Sequence, residues 1–384
     1  MGADPLVGVV YHWLGGLAAA SFYVPFRRVR GWAWETSWLV GGIFSWIIAP
    51  LAAASLLVPG FWSVIQRASP GVLAGAAGFG ALWGVGGLAF GLSMRYLGIA
   101  LGYAVALGLC AAFGTLVPPL FAGEMGRIVR ETSGQVTLLG VGVCLAGITV
   151  SGLAGMSKER ELAAEQKADT VPEFSFRKGI VVALFAGVMS ACFAYGLAAG
   201  KALAADAKVL LASQGRLDLW QNLPVLVVVL WGGFATNFVW CAILHRRGRA
   251  GGRKRHGTRL PETAAGDEPD PSAGTRTTHE QPAPADQRGA PVAANWLFCG
   301  VAGITWYLQF FFYSMGQTRM GRYDFSSWTL HMASIILFST LWGIALREWR
   351  GTSLRTHLLI AAGLVLLLGS TLVVGWGSYL KAAS

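Results

Sequence analysis

Residues 222–244 read NLPVLVVVLWGGFATNFVWCAIL, without one charged side chain. A helix needs about 20 such residues, at 1.5 Å of rise each, to cross the hydrocarbon core of a bilayer. This run is therefore a membrane span. Similar apolar runs centre on 6–26, 36–58, 72–94, 98–121, 135–153, 179–200, 294–316, 326–346 and 355–377. The spacing predicts an all-α polytopic membrane protein of about ten transmembrane helices.

Composition points the same way. Only 13% of the 384 residues are charged and 54% are hydrophobic, whereas a soluble domain carries about a quarter charged. So few charges cannot coat a water-facing surface, and lipid is the expected solvent. The 52 glycines suit helices whose backbones approach closely. The opening MGADPLVGVVYHWLGGLAAAS lacks the basic start of a secretory signal, so it is read as the first helix. The formal charge of +11 comes from Lys and Arg between the apolar runs, the pattern of topology determinants facing lipid headgroups. Nucleic acid is not an expected partner; the lipid bilayer is. Cys110, Cys144, Cys192, Cys241 and Cys299 each stand alone in an apolar run, so no metal site or disulfide framework is expected.

Loops after the odd-numbered spans hold 21 Lys and Arg, against 9 in the remaining loops and the C-terminal tail. The richer set is expected in the cytoplasm, which places both termini in the periplasm. The longest loop, 246–293, opens with RRGRAGGRKRH and continues rich in Pro, Gly, Ala and charge. It has too little apolar surface to offset ordering entropy and is expected to be disordered.

A shift of 171 residues lays span 1 on span 6, matching Gly8 with Gly179, Gly16 with Gly187, Ala20 with Ala191, Phe22 with Phe193 and Arg30 with Lys201. Glu124 and Glu348 likewise each end an apolar run ahead of a glycine-punctuated span. These echoes predict two five-helix repeats: residues 1–153, a cytoplasmic linker 154–178, and residues 179–377 interrupted by the basic loop. An odd number of spans per repeat inserts the second upside down, an arrangement of secondary transporters with the substrate site between the halves.

No Walker sequence GxxxxGK[ST] is present, which excludes an ATP motor on this chain. No catalytic residues, metal ligands or cofactor are expected; the energy source is an ion gradient. Ionisable groups within spans are costly unless paired or wet, so they mark candidate proton-coupling residues: Asp324, His331, Glu35 and His12. Asp324 and His331, seven residues apart at the start of span 9, are expected on one helical face about 10 Å apart. Gln309 lies between aromatic residues in the run Trp306–Tyr313. An amide pairs with hydroxyls and aromatic rings stack on C–H faces, which suits a sugar. Trp306, Tyr307, Asn237, Ser93, Tyr23 and Tyr195 extend this set of substrate-binding candidates. The competing reading of such polar residues is helix–helix glue.

The stretches SFYVPFRRVRGWAWETSWLVGGIFSWIIAP (21–50), GLSMRYLGIALG (91–102), ITWYLQFFFYSMGQ (304–317) and YDFSSWTLHM (323–332) resemble the L-rhamnose–proton symporter family, within the drug/metabolite transporter superfamily. The resemblance runs from about His12 to Gly375, omitting the long loop. It implies ten spans in two inverted halves, no enzymatic activity, and uptake of L-rhamnose, a 6-deoxy sugar, with a proton across the bacterial inner membrane. Gly87, Ala89 and Phe90 depart from a more polar family pattern in span 3, which bears on which sugar is carried. Two alternatives stay open on the residues alone. One is a carrier or exporter of another sugar or small metabolite; the other is a membrane sugar sensor or scaffold that transports nothing. Assembly into a homo-oligomer is left open as well.

Overall fold

The structure is a computed structural model describing residues 4–97, 99–161, 176–250 and 291–383. Within them ten helical segments are long and apolar enough to cross a membrane. They are span 1 (Pro5–Phe26), span 2 (Trp34–Leu57), span 3 (Pro70–Phe90), span 4 (Ala104–Phe121), span 5 (Thr132–Lys158), span 6 (Arg177–Ala199), span 7 (Asp218–Arg246), span 8 (Val292–Arg319), span 9 (Asp324–Ala345) and span 10 (Leu354–Lys381). No strand occurs among the described residues. The polarity is that of a protein dissolved in lipid. Phe121 is 88% exposed, while His12, Asn295 and Thr356 are fully buried. Hydrocarbon offers polar atoms no partner, so they turn inward.

Spans 1 and 2 each depart from regular α-helix beside a proline. The first helix of span 1 ends at Ser21 and a short second turn, Tyr23–Phe26, carries Pro25. Span 2 widens into a π-helical turn over Ile43–Ile48, immediately ahead of Pro50. A proline ring has no N–H for the carbonyl four residues back and crowds it, which favours a break or widening there.

Span 3 packs on spans 6 and 7, and span 8 packs on spans 1 and 2. Span 4 meets span 6 as span 9 meets span 1, while spans 5 and 10 pack on each other. Each contact thus has a counterpart five spans away. The glycines matched by the 171-residue shift obey the same rule. A Cβ on Gly8 would lie 2.9 Å from Met320 Sδ just beyond span 8, and one on Gly179 2.4 Å from Leu97 just beyond span 3. A Cβ on Gly16 would lie 2.3 Å from Ser334 in span 9, and one on Gly187 2.6 Å from Leu109 in span 4. The tightest seam joins spans 3 and 7. There an added Cβ on Gly80 would stand 2.0 Å from the Val229 carbonyl oxygen, and one on Gly232 2.0 Å from that of Ala77.

Helices outrun the expected boundaries at both connections. The expected linker begins at 154, but the helix of span 5 continues to Glu161; residues 162–175 lie outside the described residues. The expected loop begins at 246, but the helix of span 7 continues to Ala250; residues 251–290, and with them most of that loop, lie outside the described residues. Hydropathy sees where lipid ends, whereas the backbone ladder continues into water through good helix formers. Glu161 also has partners of its own. It accepts hydrogen bonds from Ser353 Oγ at 2.6 Å and Thr356 Oγ1 at 2.7 Å, clasping span 5 to the start of span 10.

Two outcomes are expected of purified variants melted in detergent. Gly80→Ala and Gly232→Ala should each lose about 1–3 kcal/mol through overpacking, and Gly87→Ala, with nothing within 4 Å, should melt as the parent does. Hydrogen bonds from Ser353 and then Thr356 hold the Glu161 carboxyl down at about 2, below its ordinary 4.5. A depressed acid stabilises fully above its ordinary value and loses that contribution as pH falls towards the depressed one. Glu161→Gln should therefore melt lower than the parent at pH 7, with the gap closing as pH falls below about 4.5.

Candidate functional site

Span 8 crosses the centre of the molecule and sets out the site along its length. Gln309, at its middle, is buried, and its Oε1 lies 3.4 Å from His331 Nε2 of span 9. This is a long contact for an N–H donor. His12 of span 1 completes the group. Its ring centroid stands 6.4 Å from that of His331 and 5.4 Å from that of Tyr313, one turn beyond Gln309. Tyr313 lies 5.2 Å from His331 in turn. Bare backbone makes room for both imidazoles. A Cβ on Gly316 would press on His12 at 2.8 Å, and one on Gly15 would meet His331 at 3.3 Å.

Several polar atoms in this group have no partner. They are both nitrogens of His12, Nδ1 of His331 and Nε2 of Gln309. Leaving a buried polar atom unpaired costs about 1–3 kcal/mol. Four such atoms fall within this one cluster. Some nearby polar groups are satisfied, whereas Ser327 Oγ and Tyr307 OH are not. Trp328 Nε1 donates to the Cys110 carbonyl at 3.0 Å, and Thr115 and Thr329 share a hydrogen bond of 2.6 Å.

A crevice of about 180 Å³ opens beside this cluster, between spans 4, 6, 8 and 9. Tyr313 and Trp328 wall its inner end, Pro118 and Ala198 its sides, and Lys201 and Asp324 stand at its rim. Lys201 Nζ lies 3.2 Å from Asp324 Oδ2. Behind the crevice an aromatic layer joins the two halves: Phe193 of span 6 sits 4.6 Å from Phe310 and 5.6 Å from Trp328, and Trp83 of span 3 is 5.2 Å from Phe193.

The four proton-coupling candidates therefore separate. His12 and His331 share the central cluster. Asp324 lies towards the rim, in a 3₁₀ segment, Gly321–Ser326, and the α-helix starts only at Ser327. Asp324 pairs with Lys201, which opens the short helix after span 6. Glu35 is at the other end of the molecule, 3.8 Å from His245 at the end of span 7.

Of the substrate-binding candidates, Gln309 is central. Trp306 sits one turn earlier on span 8, its ring 4.2 Å from Phe22. Tyr307 is buried with its hydroxyl unpartnered. Asn237 accepts from Trp38 Nε1 at 3.2 Å and donates to the Gly233 carbonyl at 2.9 Å, so its amide is spent on holding Trp38. Ser93 donates to the Phe90 carbonyl in its own helix, and Tyr195 donates to the Phe113 carbonyl of span 4. Tyr23 packs against Phe22 and Phe26 at the broken end of span 1. Gly87 faces outwards, and Ala89 and Phe90 pack against spans 4 and 6. None of these three lines the crevice. Sequence reasoning missed Tyr313 and Trp328. Their signal was the i+4 step from Gln309 and the i−3 step from His331, which place them on the faces of those two residues.

Comparison with known proteins gives a consistent result. The sequence profile of the family described as L-rhamnose-proton symport protein matches residues 1–249 and 287–379. L-rhamnose-proton symporters of Cronobacter sakazakii, Shigella flexneri and Escherichia coli O157:H7 are each 34% identical over 372 residues, covering 97% of this chain and 97% of their own.

Proposed function

The chain belongs to the L-rhamnose-proton symport protein family, and from that premise we propose that it imports L-rhamnose, or a closely related deoxy sugar, with a proton across the bacterial inner membrane. The observation that carries the reading to these residues is the Gln309–His331 pair beside an unpartnered His12, next to a crevice. The two five-span halves are inverted repeats; the counterpart contacts of the glycines matched by the 171-residue shift support this. Both termini face the periplasm, as the distribution of Lys and Arg supports. Lys201, Asp324 and Glu124 lie in or beside connections that follow even-numbered spans, so the crevice opens outwards, as an importer's loading state requires.

Coupling follows from hydrogen-bond roles. When His331 is neutral and carries its proton on Nε2, it donates to Gln309 Oε1 and leaves Nδ1 as a bare acceptor. A proton arriving on Nδ1 makes the ring a charged donor, which strengthens its bond to the amide oxygen. The Gln309 amide is then fixed with its NH₂ turned to the substrate, where a sugar hydroxyl accepts from it. Two imidazolium charges 6.4 Å apart would repel by about 3 kcal/mol at an effective dielectric of about 20. The histidine pair therefore holds one proton at a time, and one proton moves per sugar. Asp324, paired with Lys201, and Glu124 are the carboxylates of the crevice that a proton from outside meets. No cofactor enters this scheme; the proton gradient drives it.

Uptake of labelled L-rhamnose into right-side-out vesicles tests the function. Accumulation should follow an imposed inward proton gradient and vanish when an uncoupler collapses it; accumulation indifferent to the uncoupler would remove proton symport. Gln309→Ala should raise the KM for L-rhamnose about 5- to 30-fold, the worth of about 1–2 kcal/mol of hydrogen bonding. His331→Gln should lose accumulation yet retain exchange of labelled for unlabelled sugar. If His331→Gln still accumulates sugar against the gradient, His331 is not the coupling group.

A further inference from the structure

Spans 8 and 9 face each other in layers. Gln309 meets His331 at 3.4 Å, and one turn outwards the rings of Tyr313 and Trp328 stand 5.6 Å apart. One turn further, Gln317 of span 8 and Asp324 at the entry to span 9 both line the crevice. Residues 309, 313 and 317 share a stripe of the helix at i, i+4 and i+8, with about 6 Å of rise between neighbours.

The outer two members of this row carry open polar atoms. The Tyr313 hydroxyl and Gln317 Nε2 make no hydrogen bond among the described residues, and neither is among the atoms sealed from solvent. The hydroxyl of Tyr307, also on span 8, is sealed. The Gln317 amide has its orientation fixed. Asn222, near the start of span 7, donates from Nδ2 to Gln317 Oε1 at 3.1 Å and to the Ser314 carbonyl at 3.4 Å. An amide whose oxygen is taken turns its NH₂ the other way, here towards the crevice.

Charges around the crevice are spent on one another. Lys201 Nζ lies 3.2 Å from Asp324 Oδ2, and Glu124 Oε2 lies 3.4 Å from Arg127. A ligand therefore meets two neutral donors on span 8, the remaining acceptor capacity of Asp324, and an apolar wall of Pro118, Ala194 and Ala198. That combination suits a neutral polyhydroxylated molecule better than an ion: hydroxyls take the polar groups and C–H faces take the wall. The crevice, about 180 Å³, has the volume of about six waters at ~30 Å³ each, enough for one pyranose ring.

We propose that Tyr313 and Gln317 form a hydroxyl-reading subsite for a neutral pyranose in this crevice, and that Asn222 is its positioning residue. The Tyr313 hydroxyl and the Gln317 NH₂ each donate to a sugar hydroxyl, while Asp324 accepts from one. The rise of about 6 Å between the two donors is close to the breadth of a pyranose ring, so one sugar engages both. The inference rests on the transport reading above.

The KM for L-rhamnose in right-side-out vesicles tests the subsite. Tyr313→Phe and Gln317→Leu each remove one donor and keep ring or volume. Each should raise KM about three- to tenfold, the loss of one net hydrogen bond, with Vmax within about twofold of the parent. Asn222→Leu frees the amide to turn and should also raise KM, yet add nothing in the Gln317→Leu background, because the group it positions is already gone. Unchanged KM in either Tyr313→Phe or Gln317→Leu overturns the subsite, and an Asn222→Leu effect of equal size in both backgrounds overturns the positioning role. Should Gln317→Leu fail to assemble, Gln317→Met takes its place under the same expectation. Parent protein that takes up no L-rhamnose overturns the transport reading instead. The subsite is then judged by calorimetric titration of the purified protein with L-rhamnose, L-mannose and L-fucose. A Kd weakened by Gln317→Leu upholds it; binding that Gln317→Leu leaves unchanged, or no binding of any of the three, removes it.

Discussion

Hydrocarbon gives a polar atom nothing to bond with, and this constraint orders the whole molecule. Backbone groups are satisfied inside helices, and side chains that need partners are driven between them. Thr115 finds Thr329, Asn237 finds Trp38, and Asn295 holds the Arg30 backbone at both its N–H and its carbonyl. Against this accounting, both nitrogens of His12, Nδ1 of His331 and Nε2 of Gln309 are among the buried atoms without a partner, and these four lie together at the centre.

Close packing explains how those atoms stay in place without partners. Glycines bring spans 3 and 7 into backbone contact, and they seat His12 and His331 against spans 8 and 1. A frame this tight fixes the imidazoles by shape. Regular α-helical hydrogen bonding is interrupted at the end of span 1, in the π-helical turn of span 2 and at the 3₁₀ entry to span 9. The last of these carries Asp324 and Phe325, which line the crevice.

The changed residues of span 3 illustrate how position outweighs identity. Gly87, Ala89 and Phe90 would alter sugar recognition if they faced the substrate. Gly87 instead faces outwards, and Ala89 and Phe90 pack against spans 4 and 6, away from the crevice and the His–Gln cluster. The case that this chain reads a different sugar loses its structural basis there.

The amino-acid sequence by itself determined the ten spans, because the length of an apolar run is a local quantity set by bilayer thickness. It also determined the family, through runs such as residues 21–50 and 304–317. It marked His12, His331 and Gln309, because polar groups in apolar runs are conspicuous one at a time. It did not foresee the 3₁₀ entry to span 9 or the ion pair of Asp324 with Lys201, which depend on what another segment presents. It passed over Tyr313, Trp328 and Gln317, which look like ordinary helix residues until a neighbour is known. Only the tertiary structure decided which polar atoms are satisfied and which are not. A missing hydrogen bond belongs to two elements at once, and no single stretch of chain records it.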